Sequence, residues 1–297
     1  MTYSIVARDE KTGELGVAVQ SHYFSVGSIV SWARSGVGAV ATQSNVELTY
    51  GPLGLELMGS GKSAPEALDA LLRADPKAEH RQVAMVDSGG HVAAHTGTMC
   101  IPFAGHALGN QCSCQANIMR TEKVWGSMCE SFEGSEGSPL AERLVAALDA
   151  GEAAGGDARG KQSAALLTVS KDAAPNYWSG KLVDLRVEDH PDPLPELRRL
   201  LRYQRGYDWV SRGDDHLAAR RYAEALTDYR RGLEIVPEVE ELRYWVGLGM
   251  LMTEERDQGL QMLKEILQND PGWVQVTRGL LSIRSMPIDP SLFEGLI

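Results

Sequence analysis

The 297-residue chain has little of what marks several large functional classes. Nowhere do about 18 apolar residues run together, so no membrane-spanning helix is expected. The N-terminus shows no basic leader followed by an apolar stretch, and a cytoplasmic location is the expectation. Basic charge is also short. Lys and Arg number 29 against 40 Asp and Glu, a net charge of −11. That is the wrong balance for a protein that neutralises nucleic-acid phosphates. The basic stretch LRRLLRYQR (197–205) reads as the solvated face of an amphipathic helix.

Cysteine is scarce too. The four are Cys100, Cys112, Cys114 and Cys129. One residue separates Cys112 from Cys114, where zinc and redox motifs place two. His95 and His106 lie nearby in sequence but bring no second ligand pair at a recognisable spacing. Reduced thiols are therefore expected, with no metal and no cofactor. Familiar catalytic motifs are missing as well. GSGKS (59–63) imitates the end of a phosphate-binding loop, but Glu56 stands where the first glycine is required. No G-x-S-x-G elbow and no H-E-x-x-H occurs.

What is present is alternation. TYSIVARD and ELGVAVQS flank the turn EKTG, so a hairpin begins directly after Met1. SIVSWAR and GVGAVATQ read as a second pair of strands over 28–42. From Pro52 to Ala74 the apolar spacing is helical, and Ser63 and Glu66 form a capping box for the second half. QVAMVD and HVAAHT, joined by SGG, make another hairpin. Helices are expected over 117–132 and 138–150, then strands near SAALLTVS and KLVDLRV. Hairpins with grouped helices indicate an α+β fold with mainly antiparallel sheets.

HPDPLPEL (190–197) holds three prolines in eight residues, which suits a linker dividing residues 1–190 from 191–297. Beyond it the pattern is helical and periodic. Trp209, Gly213, Ala225, Tyr229 and Pro237 sit at the offsets of the tetratricopeptide pattern, with Arg212 and His216 in place of its Leu and Tyr. Thirty-four residues on, Gly247 and Pro271 repeat Gly213 and Pro237, with Gly259 and Leu263 at the small and aromatic positions. Two tetratricopeptide-like repeats and a closing helix near 273–284 are expected. So short an array needs a surface to pack on. The expectation is the first domain, a second subunit in a homodimer, or a protein partner.

The blocks TYSIVARD, GELGVAV, VGS, GVGAVATQ, YGPLGLELM, RQVAMVD, VAAHTG, CIPFAGH and GGDARGKQSAALL, in that order, resemble the bacterial domain-of-unknown-function 1028 family over residues 2–190. That resemblance implies the N-terminal nucleophile hydrolase superfamily and its four-layer αββα sandwich. It further implies Thr2 as nucleophile once Met1 is removed. The freed α-amine, with a pKa of about 7.7–8.0, would take the hydroxyl proton. The reaction implied is hydrolysis of an amide or related C–N bond in a small substrate. At the end of the second strand, where proteasome-like relatives place an acid, stands Gln20 or Ser21. The cation nearest the position of their lysine is Arg34.

Other polar residues fall at strand ends. Gln43, Ser44 and Asn45 follow the fourth strand, His95 and Thr96 close a hairpin, and Asn117 follows a further strand. The glycine-rich segment GGDARGKQS carries Asp157, Arg159, Lys161 and Ser163 and suits anion or carboxylate binding. The candidate site is thus Thr2 as catalytic residue, supported by Ser21, Arg34, Gln43, Asn45, His95, Thr96, Asn117, Asp157, Arg159 and Ser163. The competing expectation is a non-catalytic ligand-binding or scaffold protein.

Overall fold

A computed structural model describes residues 2–176, 179–283, 287–294 and 297. The chain forms two compact units, Met1–Leu201 and Arg202–Ile297. Among the described residues no helix is long and apolar enough to cross a membrane.

In the first unit the alternating segments become strands. The first hairpin is β1 (Thr2–Arg8) and β2 (Leu15–Ser21). A four-residue helix α1 (Gly27–Val30) leads into β3 (Ser31–Arg34) and β4 (Gly38–Ser44). After helices α2 (Tyr50–Gly59) and α3 (Ala64–Ala74) come β5 (Arg81–Asp87), β6 (Val92–Thr96), β7 (Gly105–Gly109) and β8 (Cys112–Asn117). Helices α4 (Val124–Gly134) and α5 (Leu140–Ala153) precede β9 (Ser163–Val169) and β10 (Lys181–Val187). A six-stranded sheet has the order β10-β9-β2-β1-β8-β7, and a four-stranded sheet the order β3-β4-β5-β6. Every strand pair is antiparallel.

Three apolar layers hold this unit together. Val6, Val17, Val19, Ala41, Ala84 and Val86 fill the space between the sheets. Outside the six-stranded sheet, Leu140, Leu144 and Leu148 of α5 repeat every four residues and pack against Tyr3, Ile5 and Ala18. Outside the four-stranded sheet, Ala64, Ala67 and Leu68 of α3 meet Val83 and Met85. Burying each large apolar side chain contributes about 1.5–3 kcal/mol.

The capping box forms as expected: Glu66 N–H donates to Ser63 Oγ, and Ser63 N–H to Glu66 Oε2. Three local expectations change. Gly27–Val30 coils into α1, so the strand expected from 28 starts at Ser31. The helix expected from 117 starts at Val124, because Cys112–Asn117 pairs with both β1 and β7. The prolines of HPDPLPEL do not break the chain into a linker. Pro193 and Pro195 lie in the first turn of α6 (Pro193–Ala218), where a missing N–H costs no helical hydrogen bond.

The second unit is helical. Past Leu201, α6 is followed by α7 (Tyr222–Ile235), α8 (Glu240–Leu251), α9 (Arg256–Asn269) and α10 (Pro271–Ile283). Arg284, the expected end of the closing helix, lies outside the described residues. Its small residues mark close approaches. A methyl added at Gly213 would come within 2.4 Å of the Tyr229 ring, and one at Gly259 within 2.7 Å of the Gly247 carbonyl oxygen.

Candidate functional site

The space between the two sheets changes character along the strands. At one end it is lined by Val and Ala; at the other, strand register puts polar side chains side by side. On the six-stranded sheet Ser163, Ser21, Thr2 and Asn117 are neighbours in one row across β9, β2, β1 and β8. On the four-stranded sheet Gln43, Gln82 and Thr96 form the corresponding row across β4, β5 and β6.

Thr2 begins β1, inside the six-stranded sheet, and is 4% exposed. Its Oγ1 donates to Ser21 Oγ at 3.0 Å. Its carbonyl oxygen accepts from Gln43 Nε2 at 3.1 Å. The same Gln43 amide donates to Gln82 Oε1 at 2.7 Å and, through Oε1, accepts from Ser4 Oγ at 2.7 Å. Asn117 Nδ2 reaches Gln82 Oε1 at 2.8 Å. Gln82 Nε2 in turn donates to the Ala116 carbonyl at 2.8 Å and to Thr96 Oγ1 at 3.0 Å. Gln115, beside Ser4, donates to the Ala41 carbonyl at 3.1 Å. These amides cross from one sheet to the other and satisfy most of the buried polar groups mutually, Gln115 Oε1 being left without a partner among the described residues.

The glycine-rich segment straps the same end. Gln162 N–H donates to the Ser21 carbonyl at 3.1 Å, and Ala158 N–H to that of Ile118 at 3.1 Å. Buried Asp157 accepts the His22 N–H through Oδ2 at 3.1 Å, and the Arg159 guanidinium grips both carboxylate oxygens, at 3.2 and 2.9 Å. A planar, two-pronged pair of this kind fixes the loop geometry. Ser44 and Ile118, next after Gln43 and Asn117, have φ of 70° and 54°. For branched Ile118 that backbone is strained, and such strain concentrates at functional sites. At the edge, Thr96 Oγ1 lies 2.9 Å from His106 Nδ1. Desolvation, and then repulsion from His95, pushes the His106 pKa down. On the helix-facing side below the site, Tyr3 Oη donates to Glu152 Oε2 at 2.8 Å; burial, with Glu152 adding to it, pushes its pKa up and keeps it a donor.

The loops beyond these strand ends expose apolar side chains: Tyr23, Phe24, Leu48, Met99, Ile101 and Phe103. Two of the loops are tied to the site. The Ile118 and Met119 N–H groups donate to the carbonyls of Ile101 and Phe103, both at 3.1 Å, and Ser163 Oγ donates to that of Tyr23 at 2.5 Å.

Of the expected residues, the fold brings together Thr2, Ser21, Gln43, Thr96, Asn117 and Ser163, with Asp157 and Arg159 alongside. Three fall elsewhere. Arg34 pairs with Gly38 at the opposite end of β4, five residues from Gln43, which is about 17 Å along a strand. Asn45 accepts from Arg81 Nη1 through its carbonyl and side chain, at 2.7 and 3.1 Å, within a brace that includes Asp75. His95 pairs with Val83, on the face turned towards α3, and bonds the Ala78 carbonyl at 2.9 Å. Gln20 likewise points to the helix-packed face with Tyr3, so Ser21 is the one that meets Thr2. Ser4, Gln82 and Gln115 were not anticipated. Two-residue alternation already groups Gln82 with Ala84 and Val86, and Gln115 with Asn117. Met1, whose removal the mechanism needs, lies outside the described residues.

The model of a family of unknown function, DUF1028, matches residues 2–197. A solved structure, that of protein SPO2555 from Silicibacter pomeroyi, is similar at 30% identity with a TM-score of 0.60. The match covers 67% of this chain and 87% of that one, and its description also carries the DUF1028 family. Comparison with curated proteins finds no match. The chain therefore belongs to the DUF1028 family.

Proposed function

We propose that the first unit is an N-terminal nucleophile hydrolase that cleaves an amide or related C–N bond of a small substrate, with Thr2 as nucleophile. The observation that carries this is the placement of Thr2. Its hydroxyl sits within a row of polar side chains, between Ser21 and Asn117, at the polar end of the inter-sheet layer. The two sheets with helices on both outer faces suit the αββα sandwich of that superfamily.

Removal of Met1 frees the Thr2 α-amine. The amine takes the Oγ1 proton, Oγ1 bonds to the substrate carbonyl carbon, and the proton passes to the departing amine nitrogen as the C–N bond breaks. Water then hydrolyses the Thr2 ester. Ser21 orients the hydroxyl. Asn117, whose amide donates to one acceptor among the described residues, has a second N–H for the oxyanion. Arg159, anchored by Asp157, holds an anionic part of the substrate, and the exposed apolar loops meet its apolar part.

A second reading has its own observation. Ser21, not a carboxylate, faces Thr2, and Arg34 is at the far end of its sheet. These fit a ligand-binding or scaffold protein. In either case the helical unit, read as tetratricopeptide-like repeats, serves a protein partner or self-association.

Intact mass of purified protein, followed by labelling with an acylating probe, separates the readings. Hydrolase chemistry requires a species lacking Met1 and labelled at Thr2. Thr2→Ala then lowers labelling by at least about 1,000-fold with the thermal transition retained. Full retention of Met1 in labelled protein, or label at another residue, refutes the Thr2 mechanism.

A further inference from the structure

Three of the four cysteines collect on the opposite face of β8 from the Thr2 network. Alternation puts Cys112 and Cys114 on the face that packs against α4, where Cys129 and Glu133 lie one turn apart. The Sγ atoms of Cys112 and Cys129 are 3.9 Å apart. With a Glu133 carboxylate oxygen, their donor atoms all lie within 4.8 Å of one another. Cys114 lies on the same strand face, outside this donor group.

The spacing discriminates between two chemistries. A disulfide needs its sulfurs about 2.05 Å apart. Tetrahedral zinc, with Zn–S bonds of about 2.3 Å, holds two thiolates about 3.8 Å apart. The observed separation, which is also that of a thiol-to-thiol hydrogen bond, excludes the first and accommodates the second. Gly109 is part of the arrangement: a methyl there would lie 2.5 Å from Glu133 Oε1, 2.7 Å from Cys129 Sγ and 2.8 Å from Cys112 Sγ. Three donors thus converge beside a residue that has no side chain to displace them. The Glu133 carboxylate is itself held by the Asn110 N–H at 2.8 Å, as outer hydrogen bonds hold metal ligands. Glu133 also borders a cavity of about 40 Å³ shared with Asn110, Gln111 and Arg8.

We propose that Cys112, Cys129 and Glu133, with a water molecule as the fourth donor, bind a thiophilic divalent cation, zinc by preference. Thiolate donors select such ions over magnesium or calcium. Binding releases the thiol protons to solvent. Cys112 is five residues from Asn117 along β8, about 17 Å, so the ion staples the β7–β8 hairpin to α4 and takes no part in Thr2 chemistry.

The test titrates reduced, metal-free full-length protein with Cd²⁺ and reads thiolate-to-cadmium charge-transfer absorption, then competes with Zn²⁺. One Cd²⁺ per chain, displaced by zinc, is expected. Cys129→Ser should weaken binding at least 100-fold, and Glu133→Gln, an exposed change that leaves the core intact, at least tenfold. Gly109→Ala should weaken it with every donor retained, whereas Cys100→Ser should bind as the native chain does. Absence of the band, a band that survives Cys129→Ser, or a Cys112–Cys129 disulfide in the native protein overturns the proposal.

Discussion

The two ends of the inter-sheet layer are built by the same strands with the same alternation, yet they are held in different ways. Towards Val6, Val17 and Val86 the sheets meet through branched apolar side chains. Towards Thr2 they meet through amides that donate across the gap to the opposing backbone and side chains. The apolar end tolerates any well-shaped filling. The amide end demands that each donor find its acceptor, and so fixes positions to within hydrogen-bond tolerance. Rigid placement of that kind is what the proposed nucleophile and oxyanion donor require.

The comparison can be broken most directly at Gln82. Gln82→Leu removes the acceptor of Gln43 and Asn117 and the donor to Thr96. The expected loss is about 3 kcal/mol or more by denaturant unfolding, with Thr2 labelling lost as well. A variant as stable as the native chain would show that the network is incidental. Val17→Ala, at the apolar end, should cost about 2 kcal/mol and leave labelling unchanged.

A smaller effect is expected at Ser63, the cap of α3, where Ala64 N–H also donates to Asp87 at 2.8 Å. Ser63→Ala should cost about 1 kcal/mol, again without touching labelling. The smallest concerns acid. Its hydrogen bond to Arg81 holds Asp75 below the usual carboxylate range, an effect that burial opposes. A depressed folded-state pKa contributes stability that is complete above the unfolded value, about 3.9, and is lost as pH falls through the folded one. Asp75→Asn should therefore flatten the decline of the melting temperature below about pH 4 while sparing chemistry. An unchanged acid profile would remove Asp75 from the account.

Much of the fold was legible because short-range rules governed it. The hairpins β1–β2 and β5–β6 follow from alternation and turn residues, and the α3 start from Ser63 and Glu66. Where neighbours in space decided, local patterns misled. Gly27–Val30 has strand-forming residues but coils, and the helix expected from 117 starts only at Val124, since Asn117 still pairs in its strand. At the site, strand-end polarity named Gln43, Thr96 and Asn117, which the fold gathers into the rows around Thr2. It also drew in Asn45 and His95, which lie next to them in sequence and turn elsewhere.

By itself the sequence determined the period of most elements, the cap of α3, the family, and which residues of a strand share a face. Only the tertiary structure decided which face is turned inward and what stands opposite it. A two-residue period fixes relative orientation but is indifferent to absolute orientation. Register and sheet stacking settle that choice. They carry Thr2, Ser21 and Asn117 into one row and Gln43, Gln82 and Thr96 into the row facing it, and leave His95, one residue from Thr96, on the other side of its sheet.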